Sequence, residues 1–331
     1  MSAFSFSDEA LNARNAAEDR AALDLRIRNF FPREPVSKAD IRHSRPAPGT
    51  AHEAHLCCGI PEATTDQFSA EVLGHALGNH GALIVRKFFP AASSSALVQA
   101  IDRVLAACEA RKSITKSNGD TAVYCNPPEV LLEALPEKQL GNARAFQKAS
   151  GAAMCVESPA IAESLLESFE TLGLKAILSE YLQEPPCVSV RKWMLRRSLL
   201  PVSESGWHQD GAFMGTDIKS VNLWLPLSHC GGDSGAPGMD MLPARLDEIV
   251  SAEGAVFDWS VSQKQVIGAS KNEGSSRPVS PEFFPGDALF FDHFFLHRTQ
   301  FRPHFDRLRY AVETWFFGSE AFPKNQVPLS W

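Results

Sequence analysis

The fold and the chemistry of this chain depend most on one short segment, Trp-His-Gln-Asp-Gly at residues 207–211. A histidine and a carboxylate two residues apart can both turn toward one metal ion, so His208 and Asp210 are candidate ligands. They need a third ligand, and the best downstream candidate is His297, in the segment Phe-Leu-His-Arg-Thr at 295–299. Two histidines and one carboxylate on one face of an octahedron leave three positions open, which is typical of non-haem Fe(II) centres.

Short strands are predicted on both sides of this segment. Alternating residues, or short apolar runs bounded by turns, predict strands at 188–197, 220–225, 264–267, 288–291 and 307–317. Glycine and proline turn signals separate them, and the sharpest is Pro-Gly-Asp at 285–287. Many short strands with such turns indicate a sandwich or a barrel.

The N-terminal half is predicted to be mostly helical. Helical spacing marks 65–79, with Thr65 as the N-cap, and a buried strand follows at 82–85. Ser158-Pro159 is a typical helix start, and apolar spacing continues to residue 182. Helices segregated against an antiparallel barrel make an α+β domain.

Two segments are harder to assign. Residues 1–60 are predicted to be an N-terminal arm, with a helix at about 7–27 and then several prolines, laid over a single domain at 61–331. Its role is either a plain surface extension or a contact with a partner. Residues 111–157 are predicted to be a partly helical segment that either covers an active site or is a surface excursion.

Composition limits the class of protein. The chain has 331 residues, 44% of them hydrophobic and 21% charged, and a net charge of −7, which are values of a globular protein. The absence of a long basic run disfavours nucleic acid and anionic membranes as partners, so we expect a small-molecule substrate. Residues 1–20 lack the apolar core of a secretory signal, and seven irregularly spaced cysteines do not indicate a disulfide framework, so we expect a cytoplasmic protein.

Cations in the predicted strands suggest an anion site. Arg309 follows His297 on the next predicted strand, and an antiparallel return can bring its guanidinium near the metal. A buried guanidinium needs an anion of matching geometry, and a carboxylate binds it through two hydrogen bonds. Arg307 lies two residues earlier on the same face and is the alternative. Lys192, Arg191 and Arg196 could bind an anionic ligand, or they could have ordinary surface or ion-pair roles.

At this point the chain resembles a known family, the phytanoyl-CoA dioxygenase (PhyH-like) family of Fe(II)/2-oxoglutarate oxygenases. The similarity spans roughly residues 66–317, and residues 1–60 and 111–157 carry none of it. The matching positions are Gly81 to Arg86, His208-Gln209-Asp210, Trp224, Pro285-Gly286-Asp287, His297 with Thr299, and Arg309-Tyr310-Ala311.

The resemblance implies a double-stranded β-helix, that is a jelly-roll or cupin-like barrel, with helices packed on one side. It implies Fe(II) held by His208, Asp210 and His297, with 2-oxoglutarate as co-substrate and O2 as oxidant. Arg309 would pair with the distal carboxylate of 2-oxoglutarate, Thr299 would donate a hydroxyl to it, and Trp224 would line the same pocket.

The implied activity is oxidation of a C–H bond of a small molecule, with 2-oxoglutarate converted to succinate and CO2. Halogenating relatives lack the carboxylate, so Asp210 favours hydroxylation or a related oxidation. Two alternatives remain: a non-catalytic barrel that binds or regulates through a small molecule, and a cupin-like isomerase, which would have no use for Arg309. The substrate, the residues that bind it and the oligomeric state are not predicted.

Overall fold

The computed structural model of the chain describes residue 6 and residues 16–30, 55–110, 123–252, 259–272 and 277–331. Part of the predicted helix at 7–27, residues 111–122 of the uncertain segment, and most of the N-terminal arm lie outside the described residues.

A large, mostly antiparallel sheet forms the framework. Its strands are β1 (His55–Cys57), β2 (Ile60–Thr64), β3 (Ala82–Arg86), β4 (Ala152–Met154), β5 (Pro186–Ser189), β6 (Met194–Arg197), β7 (Ser220–Pro226), β9 (Ala288–Phe291), β11 (Tyr310–Gly318) and β12 (Pro328–Ser330). They lie in the order β1-β2-β3-β9-β7-β11-β5-β12, with β6 also beside β11 and β4 beside β6. Only the β2–β3 pairing among these described strands is parallel.

A smaller sheet covers one face of the large one. It consists of β8 (Met239–Met241) and β10 (His297–Thr299), and single bridges extend it through Trp207, His208, Val261 and Val279. Met239 and Met241 from this sheet pack against Ile84, Trp224 and Phe291 from the large sheet. Two facing sheets around an apolar core, with helices outside, confirm the predicted α+β jelly-roll fold.

Helices cover the opposite face of the large sheet. They are α1 (Ala16–Arg28), α2 (Ala70–His80), α3 (Ala91–Ala110), α4 (Val130–Ala134), α5 (Glu137–Ala149), α6 (Pro159–Thr171) and α7 (Leu174–Leu182). Two further helices lie on the inner side: α8 (Gly211–Met214), where Met214 packs with Trp315, and α9 (Gln263–Asn272), where Val266 packs with Trp207. Alternation along β7 divides the two sides, because Val221, Leu223 and Leu225 join the helical core while Trp224 joins the core between the sheets. Asn222 shares the inner side with Trp224, and that side carries the candidate site.

One predicted helix starts later in the structure than in the prediction. The helix predicted at 65–79 begins at Ala70, because Ser69 rather than Thr65 is the N-cap, and its side chain accepts from the N–H of Val72. The Thr65 hydroxyl instead donates to the carbonyl of Lys87. Gly81 ends this helix in the left-handed conformation, with φ of 79°, as the sequence predicts.

The strand predicted at 188–197 is two strands. β5 and β6 both pair with the same edge of β11, but Phe316 lies opposite Val188 while Glu313 lies opposite Met194. The intervening residues therefore bulge out of the sheet, and Lys192 lies in this turn.

The strand predicted at 264–267 is wrong, because these residues belong to α9. A short apolar run does not separate strand from helix. The missed signal is a capping box: the N–H of Ser262 donates to Oε1 of Gln265, and the N–H of Gln265 donates to Oγ of Ser262.

The N-terminal helix packs closely on the rest of the chain. Leu23 and Ile27 of α1 are fully buried in the helical core. β1 and β2 form a hairpin at the edge of the large sheet, so the sheet begins within the range 1–60. The described helices include none that is both long enough and apolar enough to cross a membrane.

Candidate metal centre

A backbone bridge holds the two candidate histidines side by side. The N–H of His208 donates to the carbonyl of His297 at 2.9 Å, and the reverse hydrogen bond measures 3.0 Å. Directly opposite residues of an antiparallel pair project their side chains from one face of the sheet. The two imidazole centroids lie 4.4 Å apart, so β10 brings the distant His297 to His208.

The segment between the ligands is fixed by Gln209. Its Nε2 donates to the carbonyl of Phe294 at 2.6 Å, and its Oε1 accepts from the N–H of Val250 at 2.7 Å. With Gln209 anchored on one side, His208 and Asp210 turn to the other. The sequence presents Gln209 only as part of a motif, and its positioning role becomes evident from these contacts.

The three candidate ligands converge. One donor atom each from His208, Asp210 and His297 lies within 4.8 Å of the other two, and Nε2 of His208 lies 3.9 Å from Oδ1 of Asp210. A metal ion with bonds of about 2.1 Å reaches donors up to about 4 Å apart. The structure thus brings together the residues that the sequence predicts as a ligand set.

Hydrogen bonds orient both imidazoles. Nδ1 of His208 lies 2.9 Å from the carbonyl of Gly206, and Nδ1 of His297 lies 2.9 Å from the carbonyl of Phe295. A carbonyl only accepts, so each Nδ1 carries the proton and each Nε2 keeps its lone pair. This tautomer is the one in which both Nε2 atoms are available to a metal, and a partner on the other ring nitrogen is typical of metal-binding histidines.

Burial sets the protonation of the three groups. It lowers the pKa of His208 to about 4, with the neighbouring His297 as the next cause, and it lowers the pKa of His297 to about 4. Both are therefore neutral at pH 7. Burial also raises the pKa of Asp210 to about 6, while a hydrogen bond from Nδ2 of Asn222 to Oδ2 acts in the opposite direction.

The donor set fits a divalent transition metal. Two neutral imidazole nitrogens and one carboxylate oxygen are intermediate in softness, and they lie at one side of the ion they would surround. Asn222 occupies one oxygen of Asp210 and leaves the other for the metal. Sequence reasoning missed this function of Asn222, because it depends on a contact between strand β7 and the turn that carries Asp210.

Arg309 and Trp224 form a buried pocket wall. Arg309 is 3% exposed, its guanidinium carbon lies 5.7 Å from the centre of the Trp224 ring, and burial lowers its pKa. Nε of Arg309 and Nε1 of Trp224 are both buried and have no hydrogen-bond partner among the described residues. Two donors left unpaired in this way indicate the place of an absent acceptor. Arg307, the alternative, is exposed.

Thr299 lies on β10 two residues beyond His297, so the strand period places both on one face. Arg298 between them turns away, with its guanidinium carbon 5.0 Å from the centre of the Trp207 ring and its Nε donating to Asp240. Thr299 is half-buried. Its predicted contact with a carboxylate stays a prediction.

The other cations have different partners. Arg196 binds Glu313 through two nitrogens, at 2.6 and 2.9 Å, so Glu313 does not occupy Arg309. Arg197 on the other face pairs with Asp102. Lys192 lies in the turn between β5 and β6, and its Nζ is 5.0 Å from the centre of the Trp315 ring.

The chain was compared with known protein families, sequences and structures. No protein-family model matches the chain, and no curated protein matches its sequence. Among solved structures, EctD from S. alaskensis with 2-oxoglutarate and 5-hydroxyectoine is similar, with a TM-score of 0.49 and 14% identity over 80% of this chain and 82% of that one. The non-heme alpha ketoglutarate dependent epimerase SnoN from nogalamycin biosynthesis has a TM-score of 0.43 and 12% identity over 75% and 80% of the two chains. At this level of similarity, the chemistry of this chain has to rest on its own residues.

Proposed function

We propose that this chain is a non-haem Fe(II)/2-oxoglutarate-dependent oxygenase that oxidises a C–H bond of a small molecule. The observation that supports it best is the presence of two features together: a His-Asp-His ligand set, and a buried Arg309 beside Trp224 whose Nε has no hydrogen-bond partner among the described residues. A ligand with one chelating end and one carboxylate end fits both sites together. The similarity to the PhyH-like family carries the same expectation from the motifs.

The residues have distinct roles in this proposal. His208, Asp210 and His297 hold the iron through one face and leave three positions for other ligands. Fe(II), when bound, couples the conversion of 2-oxoglutarate and O2 to succinate and CO2 with oxidation of the substrate. Arg309 binds the distal carboxylate of 2-oxoglutarate with Thr299, and the apolar face of Trp224 excludes water from that ion pair.

Asp210 specifies the kind of oxidation. Its carboxylate fills a coordination position that a halide would need, so hydroxylation or a related oxidation is proposed over halogenation. Because burial raises its pKa, Asn222 helps to keep Asp210 ionised and correctly turned.

The metal part of the proposal is tested under anaerobic conditions. Purified protein with Fe(II) and 2-oxoglutarate is expected to show a weak visible metal-to-ligand charge-transfer band, and to release succinate slowly once O2 is admitted. His208→Ala abolishes the band, while His80→Ala on α2, away from the candidate site, keeps it. Absence of both band and succinate from the wild-type protein would contradict the oxygenase function.

The co-substrate part is tested by titrating 2-oxoglutarate into the Fe(II) protein. Arg309→Met removes a charge-assisted contact of about 1.5–3 kcal/mol, so the affinity for 2-oxoglutarate should fall by about 10- to 100-fold. Arg307→Met deletes the same charge two residues away on an exposed side chain and is the matched control. Equal effects of the two substitutions contradict the assignment of Arg309.

A further inference from the structure

Three aromatic side chains and one lysine lie beside the candidate metal ligand His208. The His208 ring centre lies 5.2 Å from that of Trp259 and 6.4 Å from that of Phe213. Trp315 continues the group, stacked on Phe213 at 5.7 Å. We call Phe213, Trp259 and Trp315 the aromatic wall.

The aromatic wall is held in place by the metal-ligand segment itself. Phe213 lies in α8, the short helix that starts directly after Asp210, and its carbonyl accepts from Nδ2 of Asn325. Trp315 lies on β11, two residues beyond Glu313 and on the same inner face. Phe213 and Trp259 are half-buried, so the wall has a face that a ligand can reach. A group resting there lies next to the metal ligands.

Lys192 is the cation of this group. Its Nζ lies 4.8 Å from the centre of the Phe213 ring and 5.0 Å from that of Trp315. The turn that carries it is tied down, because the N–H of Lys192 donates to Oγ of Ser189. Among the described residues, its ammonium has only these aromatic neighbours and no hydrogen-bonded acid.

The acids around Lys192 are already engaged. Asp210 and Glu313 attract it electrostatically, but Asp210 belongs to the candidate ligand set and Glu313 is bound by Arg196. The neighbouring Arg191 donates to the carbonyl of Asn325 instead. A half-buried ammonium with three donors therefore has capacity for an anion supplied from outside the chain.

We propose that Lys192 and the aromatic wall form the substrate subsite, and that it takes a planar apolar group joined to a carboxylate or similar anion. The interpretation of this pocket as a substrate site rests on the proposed oxygenase function. The ring of the ligand packs on the accessible faces of Phe213 and Trp259, which the buried Trp315 supports through its stacking on Phe213, and its anion binds the Lys192 ammonium. Pockets of this kind, mostly apolar with one placed charge, are those that select and orient small molecules.

The first test measures binding without any metal. 3-Phenylpropionate is titrated into the metal-free full-length chain and followed by tryptophan fluorescence, beside the neutral 3-phenylpropanamide and the cationic phenethylamine. The acid is expected to bind at least about 10-fold more tightly than the amide, and Lys192→Met should remove this preference. Equal binding of acid and amide, tighter binding of the amine, or an unchanged affinity in Lys192→Met overturns the proposal.

Two variants serve as controls on the same probes. Arg191→Met deletes the adjacent charge, and the affinity for 3-phenylpropionate should stay within about twofold of the wild type, since the Arg191 guanidinium donates to the carbonyl of Asn325 and, among the described residues, makes no contact with the aromatic wall. Phe213→Leu should weaken the acid and the amide alike by several-fold, because it removes the surface under the ring. If Phe213→Leu changes neither, the aromatic wall is not part of the subsite.

A last arm separates substrate from co-substrate. With Mn(II) and saturating 2-oxoglutarate present, 3-phenylpropionate should still bind, and Lys192→Met should leave the affinity for 2-oxoglutarate unchanged. Competition between the two acids, with weaker 2-oxoglutarate binding in Lys192→Met, would assign Lys192 to the co-substrate and overturn the proposal. Because the first arm is metal-free, its failure is distinguishable from absence of the Fe(II)/2-oxoglutarate charge-transfer band.

Discussion

Asp210 is the candidate ligand whose proton competes most with a metal near neutral pH. Burial raises its pKa to about 6, whereas burial lowers those of His208 and His297 to about 4. Since a metal binds only the deprotonated ligands, the affinity should be constant above about pH 6.5 and fall about 10-fold per pH unit just below 6. Mn(II) titrations followed by electron paramagnetic resonance between about pH 5 and pH 8 measure this dependence.

Asn222 gives this prediction its control. Its hydrogen bond to Asp210 lowers the pKa of the carboxyl, so Asn222→Ala should move the loss of Mn(II) affinity to higher pH. A loss of affinity that starts only near pH 4, or that stays unmoved in Asn222→Ala, would contradict the protonation of Asp210 described above.

Residue types and chain order sufficed to predict which residues meet at the site. His208, Asp210 and His297 are the polar residues that the sequence predicts as ligands, and their donor atoms converge. Arg309 is buried beside Trp224, and its contact with a co-substrate stays a prediction. Spacing and the following Tyr310-Ala311 favour Arg309, but Arg307 stays open as an alternative because both fit one face of an extended strand. β11 begins only at Tyr310, so Arg307 lies in the preceding bend and its side chain is exposed.

At the scale of single elements, the turn before β9 depends on Gly286. Its φ is +89°, and an added Cβ would overlap the carbonyl oxygen of Phe89, which lies in the loop after β3. Gly286→Ala should therefore lower the free energy of unfolding by about 2–4 kcal/mol, through backbone strain together with steric overlap. Urea unfolding measures the change.

Gly268 is the matched control for the substitution at Gly286. It lies inside α9, and an added Cβ meets nothing within 4 Å, so Gly268→Ala should raise the free energy of unfolding by about 0.5–1 kcal/mol. A destabilising Gly268→Ala would show that this segment is not helical in solution. A neutral Gly286→Ala would show that the turn tolerates a side chain.

Elements with one dominant local signal were predicted well, and those with two competing signals were not. The strand at Ala82–Arg86 follows a glycine and is apolar over residues 82–85, and the structure confirms it. The segment 264–267 carries a short apolar run and also a capping box, and the helical signal decides. The interruption between β5 and β6 at residues 190–193 depends on how both strands pair with β11, and the local sequence does not predict this pairing.

At the scale of the whole molecule, the two-sheet architecture could be predicted because turn signals and strand periods recur through the C-terminal half. The packing of the N-terminal helix could not, because its contacts reach the far end of the chain. The Ser330 hydroxyl donates to the carbonyl of Arg26, and the N–H of Val130 donates to Asp24 at 2.7 Å. Helix α1 thus ties α4 to β12 across the helical layer.

Substitution of Arg26 measures how much the packing of α1 contributes to the stability of the fold. Its guanidinium binds both oxygens of Glu163, at 2.8 and 3.1 Å, and the Glu163 side chain is only 7% exposed. Arg26→Met leaves that buried carboxylate without its cation, so the free energy of unfolding should fall by roughly 1–3 kcal/mol. Arg28→Met breaks a comparable pair with Glu133, but both side chains are well exposed and screened by water, so little change is expected. If Arg26→Met lowered the urea midpoint no more than Arg28→Met, the Arg26–Glu163 pair would not contribute to stability.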